Sequence, residues 1–144
     1  MPATAFQFYN QGKRAIGSGA IQLGTSQLKM KLATSASNAS TPSLATFASI
    51  TNEVAGGNGY TTGGKALSGM TWTAGASAAQ MRFDANDLVW TASGGPISNV
   101  KFGVIGLSGG APLVWSRFST SQFTITDGNT LTVQFNAAGI FTLV

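Results

Sequence analysis

Gln27-Leu28-Lys29-Met30-Lys31-Leu32 decides the fold class, because its apolar and basic residues alternate strictly. An extended chain sends successive side chains to opposite faces, so Leu28, Met30 and Leu32 share one face and Lys29 and Lys31 the other. The same period of two recurs in Ala79-Gln80-Met81-Arg82-Phe83 and in Thr130-Leu131-Thr132-Val133-Gln134-Phe135. Short runs of strand-forming residues add strands at 5–9, 20–23, 70–73, 88–92, 100–107, 113–118, 123–126 and 140–143. Turn-forming clusters punctuate them: Gly17-Ser18-Gly19, Gly56-Gly57-Asn58-Gly59, Gly63-Gly64, Ser93-Gly94-Gly95-Pro96, Gly109-Gly110 and Asp127-Gly128-Asn129. Short strands between frequent turns predict an all-β chain, a β-sandwich or jelly roll of about ten antiparallel strands. At 144 residues, with neither an internal repeat nor a linker, residues 1–144 are expected to form a single domain.

A helix competes at one place. Thr41-Pro42-Ser43-Leu44 suits a helical start, and Phe47, Ile50 and Val54 follow at helical spacing. The β-branched Thr46, Thr51 and Val54 oppose it, so residues 42–54 are predicted to be a short helical or irregular crossover. Residues 33–46, small and polar, read as a loop. Apolar residues run to the C-terminus, which places the end of the chain inside a sheet. The start, Met1-Pro2-Ala3-Thr4-Ala5-Phe6, has neither the basic lead nor the apolar core of a signal peptide. No apolar run approaches the roughly 18 residues of a membrane span, so synthesis in the cytoplasm is expected.

Hydrophobic residues make up 43% of the chain but charged ones only 8%, against a typical value of roughly 25%. The polar surface must therefore come from Ser, Thr, Asn, Gln and Gly, which suits strands and turns better than long helices. A surface so poor in charge resists association weakly, which suggests that other chains cover part of it. The net charge of +4 lies within the first 65 residues: Lys13, Arg14, Lys29, Lys31 and Lys65 against Glu53. That half either faces an acidic partner or is simply solvated.

The chain has no Cys and no His, so the usual nucleophile–base pairs and zinc or copper ligand sets are missing. Gly59-Tyr60-Thr61-Thr62-Gly63-Gly64-Lys65 fits a phosphate-binding loop up to its lysine, but Ala66 supplies no hydroxyl for magnesium and no helix follows. Gly106-Leu107-Ser108-Gly109-Gly110 resembles a hydrolase elbow without a histidine to serve it, and reads as a turn between strands. Ser26 with Lys29, and Ser98 with Lys101, have a Ser–Lys spacing that works on a helix and fails on a strand. Asp84-Ala85-Asn86-Asp87 gathers oxygen ligands, yet too few for calcium without help, and reads as a turn. No catalytic residue, cofactor or metal is expected. An enzyme would need an unusual mechanism built on Glu53, Asp84, Asp87 and Asp127, whose spacing supports none. Trp72, Trp90 and Trp115 offer either a sugar-stacking platform or core residues, with the apolar surroundings of Trp90 favouring the core.

Three stretches together carry a resemblance: residues 53–67 (Glu53-Val54-Ala55-Gly56 through Lys65-Ala66-Leu67), Asp84-Ala85-Asn86-Asp87-Leu88-Val89-Trp90-Thr91-Ala92, and Phe135-Asn136-Ala137-Ala138-Gly139-Ile140-Phe141. Spread over nearly the whole chain, they resemble small virion structural proteins of tailed bacteriophages. The resemblance implies a capsid cement or decoration protein on the outer surface of a phage head, stabilising contacts between major capsid subunits. A minor tail or fibre component, or a carbohydrate-binding β-sandwich used in adsorption, is the alternative. The implied partners are the major capsid protein and further copies of the chain, as dimer or trimer, with neither nucleic acid nor membrane. Residues 56–64 then read as a loop whose backbone can approach a partner closely, with Tyr60, Lys65, Lys29 and Lys31 as candidate contacts. An internal hairpin with Tyr60 packed on its own domain accounts equally well for that loop.

Overall fold

A computed structural model of the chain describes residues 3–77 and 79–143. Met1, Pro2 and Val144, on which the reading of the two chain ends partly rests, lie outside the described residues. In order come β1 (Gln7–Phe8), α1 (Asn10–Ser18), β2 (Leu28–Ala33), a 3₁₀ turn (Phe47–Ser49), β3 (Lys65–Ala66), β4 (Thr71–Ala74), β5 (Met81–Asp84) and β6 (Leu88–Thr91). They are followed by β7 (Ile97–Val100), β8 (Phe102–Leu107), β9 (Pro112–Arg117), β10 (Phe123–Ile125), β11 (Thr130–Val133) and β12 (Phe141–Leu143). The described residues are thus all-β, and every strand pair is antiparallel. No helix among them is long and apolar enough to cross a membrane.

The largest sheet has five strands in the order β1-β9-β8-β2-β3. Three smaller sheets, β10-β7, β11-β6 and β12-β5-β4, complete a sandwich-like arrangement. In β2 the alternation behaves as read: Leu28, Met30 and Leu32 are fully buried and enter the main core with Phe83, Trp90, Ile105, Val133 and Phe141. Lys29 and Lys31 take the opposite face, opposite Gly106 and Val104 of β8. That face is not left to water, because Tyr9, Ala39, Phe47, Ile50, Phe102, Val104 and Trp115 form a second core on it. Residues 33–50 therefore fold over the sheet as a cover, with the Phe47 ring lying on Gly106. Burial on both faces explains why β8 and β9 read as nearly continuous apolar runs rather than alternating ones.

Four departures from the sequence reading have identifiable causes. Helix α1 was not expected, because Asn10-Gln11-Gly12-Lys13-Arg14-Ala15-Ile16-Gly17-Ser18 combines two glycines with little apolar period. Tertiary contact makes it: Gly12 lies so close to Leu113 that a Cβ there would run into the β9 backbone, and Ala15 is buried. Gly17-Ser18-Gly19, expected to be a turn between strands, is the end of this helix, with Gly19 at φ 81° donating to the Ile16 carbonyl. The strand expected at 20–23 is instead a turn: Thr25 and Ser26 both donate to Gln22 O, while Ile21 is buried in the main core and Leu23 packs against it.

The run expected as one strand at 100–107 divides at Lys101. Its N–H donates to Ala33 O at 2.8 Å and its carbonyl accepts from Phe118 N at 2.7 Å, while β7 leaves to pair with β10 and β8 stays in the large sheet. Residues 42–54 are irregular apart from the 3₁₀ turn, as read, but Phe47, Ile50 and Val54 do not share a face. Phe47 and Ile50 join the second core and Val54 the main one.

Candidate functional site

Of the residues singled out as candidate contacts, Tyr60, Lys31 and Lys65 make bonds within the chain. Tyr60 is 2% exposed and its hydroxyl does two jobs. It accepts from Leu32 N at 3.0 Å and donates to Glu53 Oε1 at 2.6 Å. The same carboxylate oxygen accepts from Gly63 N at 2.7 Å, so Glu53 ties the glycine-rich loop to β2 through the tyrosine. Lys31 donates to Phe47 O at 3.1 Å with its ammonium 4.4 Å from the centre of that ring, which fastens the cover over the sheet. Lys65 donates to Val89 O and stands 5.3 Å from the centre of the Trp90 ring. Lys29 is half-buried on the covered face of β2. These four side chains do not converge: the structure spends three of them on internal seams.

The four carboxylates are likewise engaged with backbone N–H groups, each at a different loop. Glu53 binds Gly63 N, Asp84 its neighbour Ala85 N, Asp87 the distant Phe135 N at 2.9 Å and Asp127 Gly94 N at 3.0 Å. A carboxylate holding a loop by a charge-assisted bond contributes to architecture. Among the described residues no three acidic groups gather where a metal could be held. Gly106-Leu107-Ser108-Gly109-Gly110 is the turn from β8 into β9, as read. Of the tryptophans, Trp90 and Trp115 are buried, and Trp72 is half-buried against Phe141.

Burial holds the Tyr60 hydroxyl well above its ordinary value near 10, with the Glu53 hydrogen bond adding to the rise. Burial alone raises that of Tyr9, whose hydroxyl donates to Ala39 O. Both must be neutral in the folded chain and are free to ionise once it unfolds. Their stabilisation is complete below pH 10 and is lost as pH rises above it, toward their raised folded values. Urea unfolding is therefore expected to give constant stability from pH 7 to about 9.5. Above pH 10 it should fall by about 1.4 kcal/mol per pH unit for each tyrosine.

A feature that composition did not reveal is a cleft of about 1200 Å³ at the side of the sandwich. Six of the nine phenylalanines line it: Phe6, Phe8, Phe118, Phe123, Phe135 and Phe141. Phe6 packs on Phe135 at 6.0 Å and Phe8 edge-on against Phe141 at 4.5 Å, joining the start of the chain to its end. No charged residue lines the cleft; its polar groups are Ser, Thr, Asn and Gln. It exceeds the roughly 300–1,000 Å³ of a small-molecule pocket.

Its walls combine loop backbone with strand ends: residues 3–6, 134–136 and 139–140 lie outside the strands, while 131–133 belong to β11 and 141–142 to β12. The strands beside it, β1, β10, β11 and β12, each have a single sheet partner, β9, β7, β6 and β5 respectively. The extended start of the chain is fastened on its other side by Thr4 N to Arg117 O at 2.9 Å, Ser116 Oγ to Thr4 O at 2.7 Å and Arg117 N to Thr4 Oγ1 at 3.0 Å. Such an arrangement offers backbone donors and acceptors beside aromatic side chains, which suits an extended segment of polypeptide. No family model, curated protein or solved structure matches the chain.

Proposed function

We propose that the chain is a non-enzymatic assembly protein that holds other protein chains through its uncharged phenylalanine cleft. In the form the sequence resemblance implies, it is a cement or decoration protein on the outer surface of a phage head. The observation that carries the proposal is the cleft itself, an uncharged trough lined by six phenylalanines and by Ser, Thr, Asn and Gln, beside strands that each have a single sheet partner. Further support comes from the chemistry around it. The chain's carboxylates and three of the four singled-out polar side chains are spent on holding loops and seams, which leaves contact area as what the surface has to offer. The charge-poor exterior fits a molecule that works while covered by neighbours.

A cement protein binds the assembled shell in preference to its separated subunits, so it stabilises the shell by mass action. At a free concentration 100 times the Kd that amounts to about 2.7 kcal/mol per site. Heads assembled without this chain are expected to release their DNA at a lower temperature than heads carrying it, and adding the purified chain should restore the higher value. Identical release temperatures with and without bound chain would overturn the cement role.

A further inference from the structure

We infer that Asn58 is a self-modification site: the Asn58-Gly59 turn closes to a succinimide, loses ammonia and reopens with water as an aspartyl or isoaspartyl residue that releases the turn at 93–96. The inference rests neither on the cleft nor on the phage head. Asn58 is the one asparagine of eight that a glycine follows, so no side chain shields the backbone nitrogen that must attack. Asn58 stands at φ 56° and Gly59 at φ 99°, and Gly57 and Tyr60 exchange both backbone hydrogen bonds around them. The pair is therefore the centre of a type I′ hairpin turn. The fold holds both residues in place. The left-handed region favours asparagine among residues that carry a side chain, and a Cβ at Gly59 would run into the Thr91 carbonyl.

Both residues of the pair are exposed, and Gly59 N has no acceptor among the described residues. In the chemically similar Asp127-Gly128, Gly128 N is spent on Ala92 O at 2.8 Å and the carboxylate accepts from Gly94 N at 3.0 Å. The Asn58 amide has a single exposed tether, from Nδ2 to Pro96 O at 3.0 Å, which opens readily. Asn38, by contrast, is held through both ends of its amide, by Ser49 O and Thr51 N. When the Asn58 tether opens, Gly59 N attacks Asn58 Cγ. The new N–Cγ bond replaces the Cγ–Nδ2 bond, and Nδ2 leaves as ammonia, taking up the proton that Gly59 N loses. Water then opens the ring at Cγ to give aspartate, or at the main-chain carbonyl to give isoaspartate. Asn58 fastens the turn at 93–96 twice, accepting from Ser93 N at 3.0 Å and donating to Pro96 O. The product turns a carboxylate toward the Pro96 carbonyl, and its isoaspartyl form adds a methylene to the main chain. The turn then keeps only its Asp127 side, and the net charge of +4 falls by one.

Peptide mass mapping of the full chain tests this, with one sample kept folded in mildly alkaline buffer and another unfolded in guanidinium. The expected result in the folded chain is a mass gain of about one dalton at Asn58, carried by two chromatographically separate isomers. It should proceed at no less than about a hundredth of the unfolded rate, and ahead of every other asparagine in the folded chain. Slower conversion of Asn58 than that, or earlier conversion at another asparagine, would overturn the inference. Amide hydrogen exchange is the second measurement. In the converted chain Ser93 N should exchange at least about tenfold faster than in the fresh one. Asn58→Ser has no amide to lose, so its mass and its Ser93 exchange should stay constant through the same incubation. Unchanged protection of Ser93 after conversion, or equal loss of protection in aged Asn58→Ser, would overturn the release of the turn.

Discussion

Replacing Trp90 with alanine is expected to cost about 3–5 kcal/mol of folding stability. Trp90 is 1% exposed, pairs with Leu131 across β6 and β11, and packs against Tyr60 with ring centres 6.5 Å apart. Removing the indole opens a hole between the β11-β6 pair and the glycine-rich loop, and it takes away the ring over which Lys65 stands. The surrounding strands cannot close that hole, since β6 is held in register at four positions by β11. Guanidinium unfolding of the variant, monitored by far-ultraviolet circular dichroism, measures the loss. The sugar-platform reading of the three tryptophans predicts instead an exposed anchor, whose removal abolishes glycan binding at nearly unchanged stability.

Gly64→Ala is expected to lower stability by about 3 kcal/mol, which for a chain of this size moves the melting temperature by about 10 °C. Gly64 sits at φ 93°, where a Cβ is strained, and that Cβ would run into the backbone carbonyl of Met30. The obstacle is main chain in the central strand β2, so relief requires the whole loop to lift. Lifting it would break the bonds from Gly63 N and Tyr60 Oη to Glu53. The backbone that the glycine-rich loop approaches closely belongs to its own sheet, in keeping with the reading in which Tyr60 packs on its own domain. A thermal melt of Gly64→Ala beside Gly63→Ala checks the cause, because a Cβ at Gly63 meets nothing and leaves only the φ strain.

What the sequence revealed follows from which forces are local. Strand β2 was legible because one face enters the main core and the other keeps two lysines, whose stems can lie along a surface and of which Lys31 finds a partner in Phe47 O. Helix α1 was not, since its formation depends on Gly12 fitting under β9, about a hundred residues away in sequence. The break at Lys101 was hidden because Val100 and Phe102–Leu107 are both apolar and β-prone, and only their different partners separate them. The cleft was hardest to foresee. Phe6, Phe8, Phe118, Phe123, Phe135 and Phe141 each look like an ordinary inward residue of a short strand. They form a site because four strands stop pairing at the same place, which is a property of topology. One clue lay in the sequence: those six phenylalanines fall near the two ends of the chain, whereas the middle has only three, Phe47, Phe83 and Phe102.

Electron cryomicroscopy of virions containing the chain tests the central claim most directly. The account predicts density for its sandwich on the outer surface of the head, with the phenylalanine cleft filled by an extended segment of another polypeptide. Density confined to the tail, or a chain on the head whose cleft stands open to solvent, would contradict it.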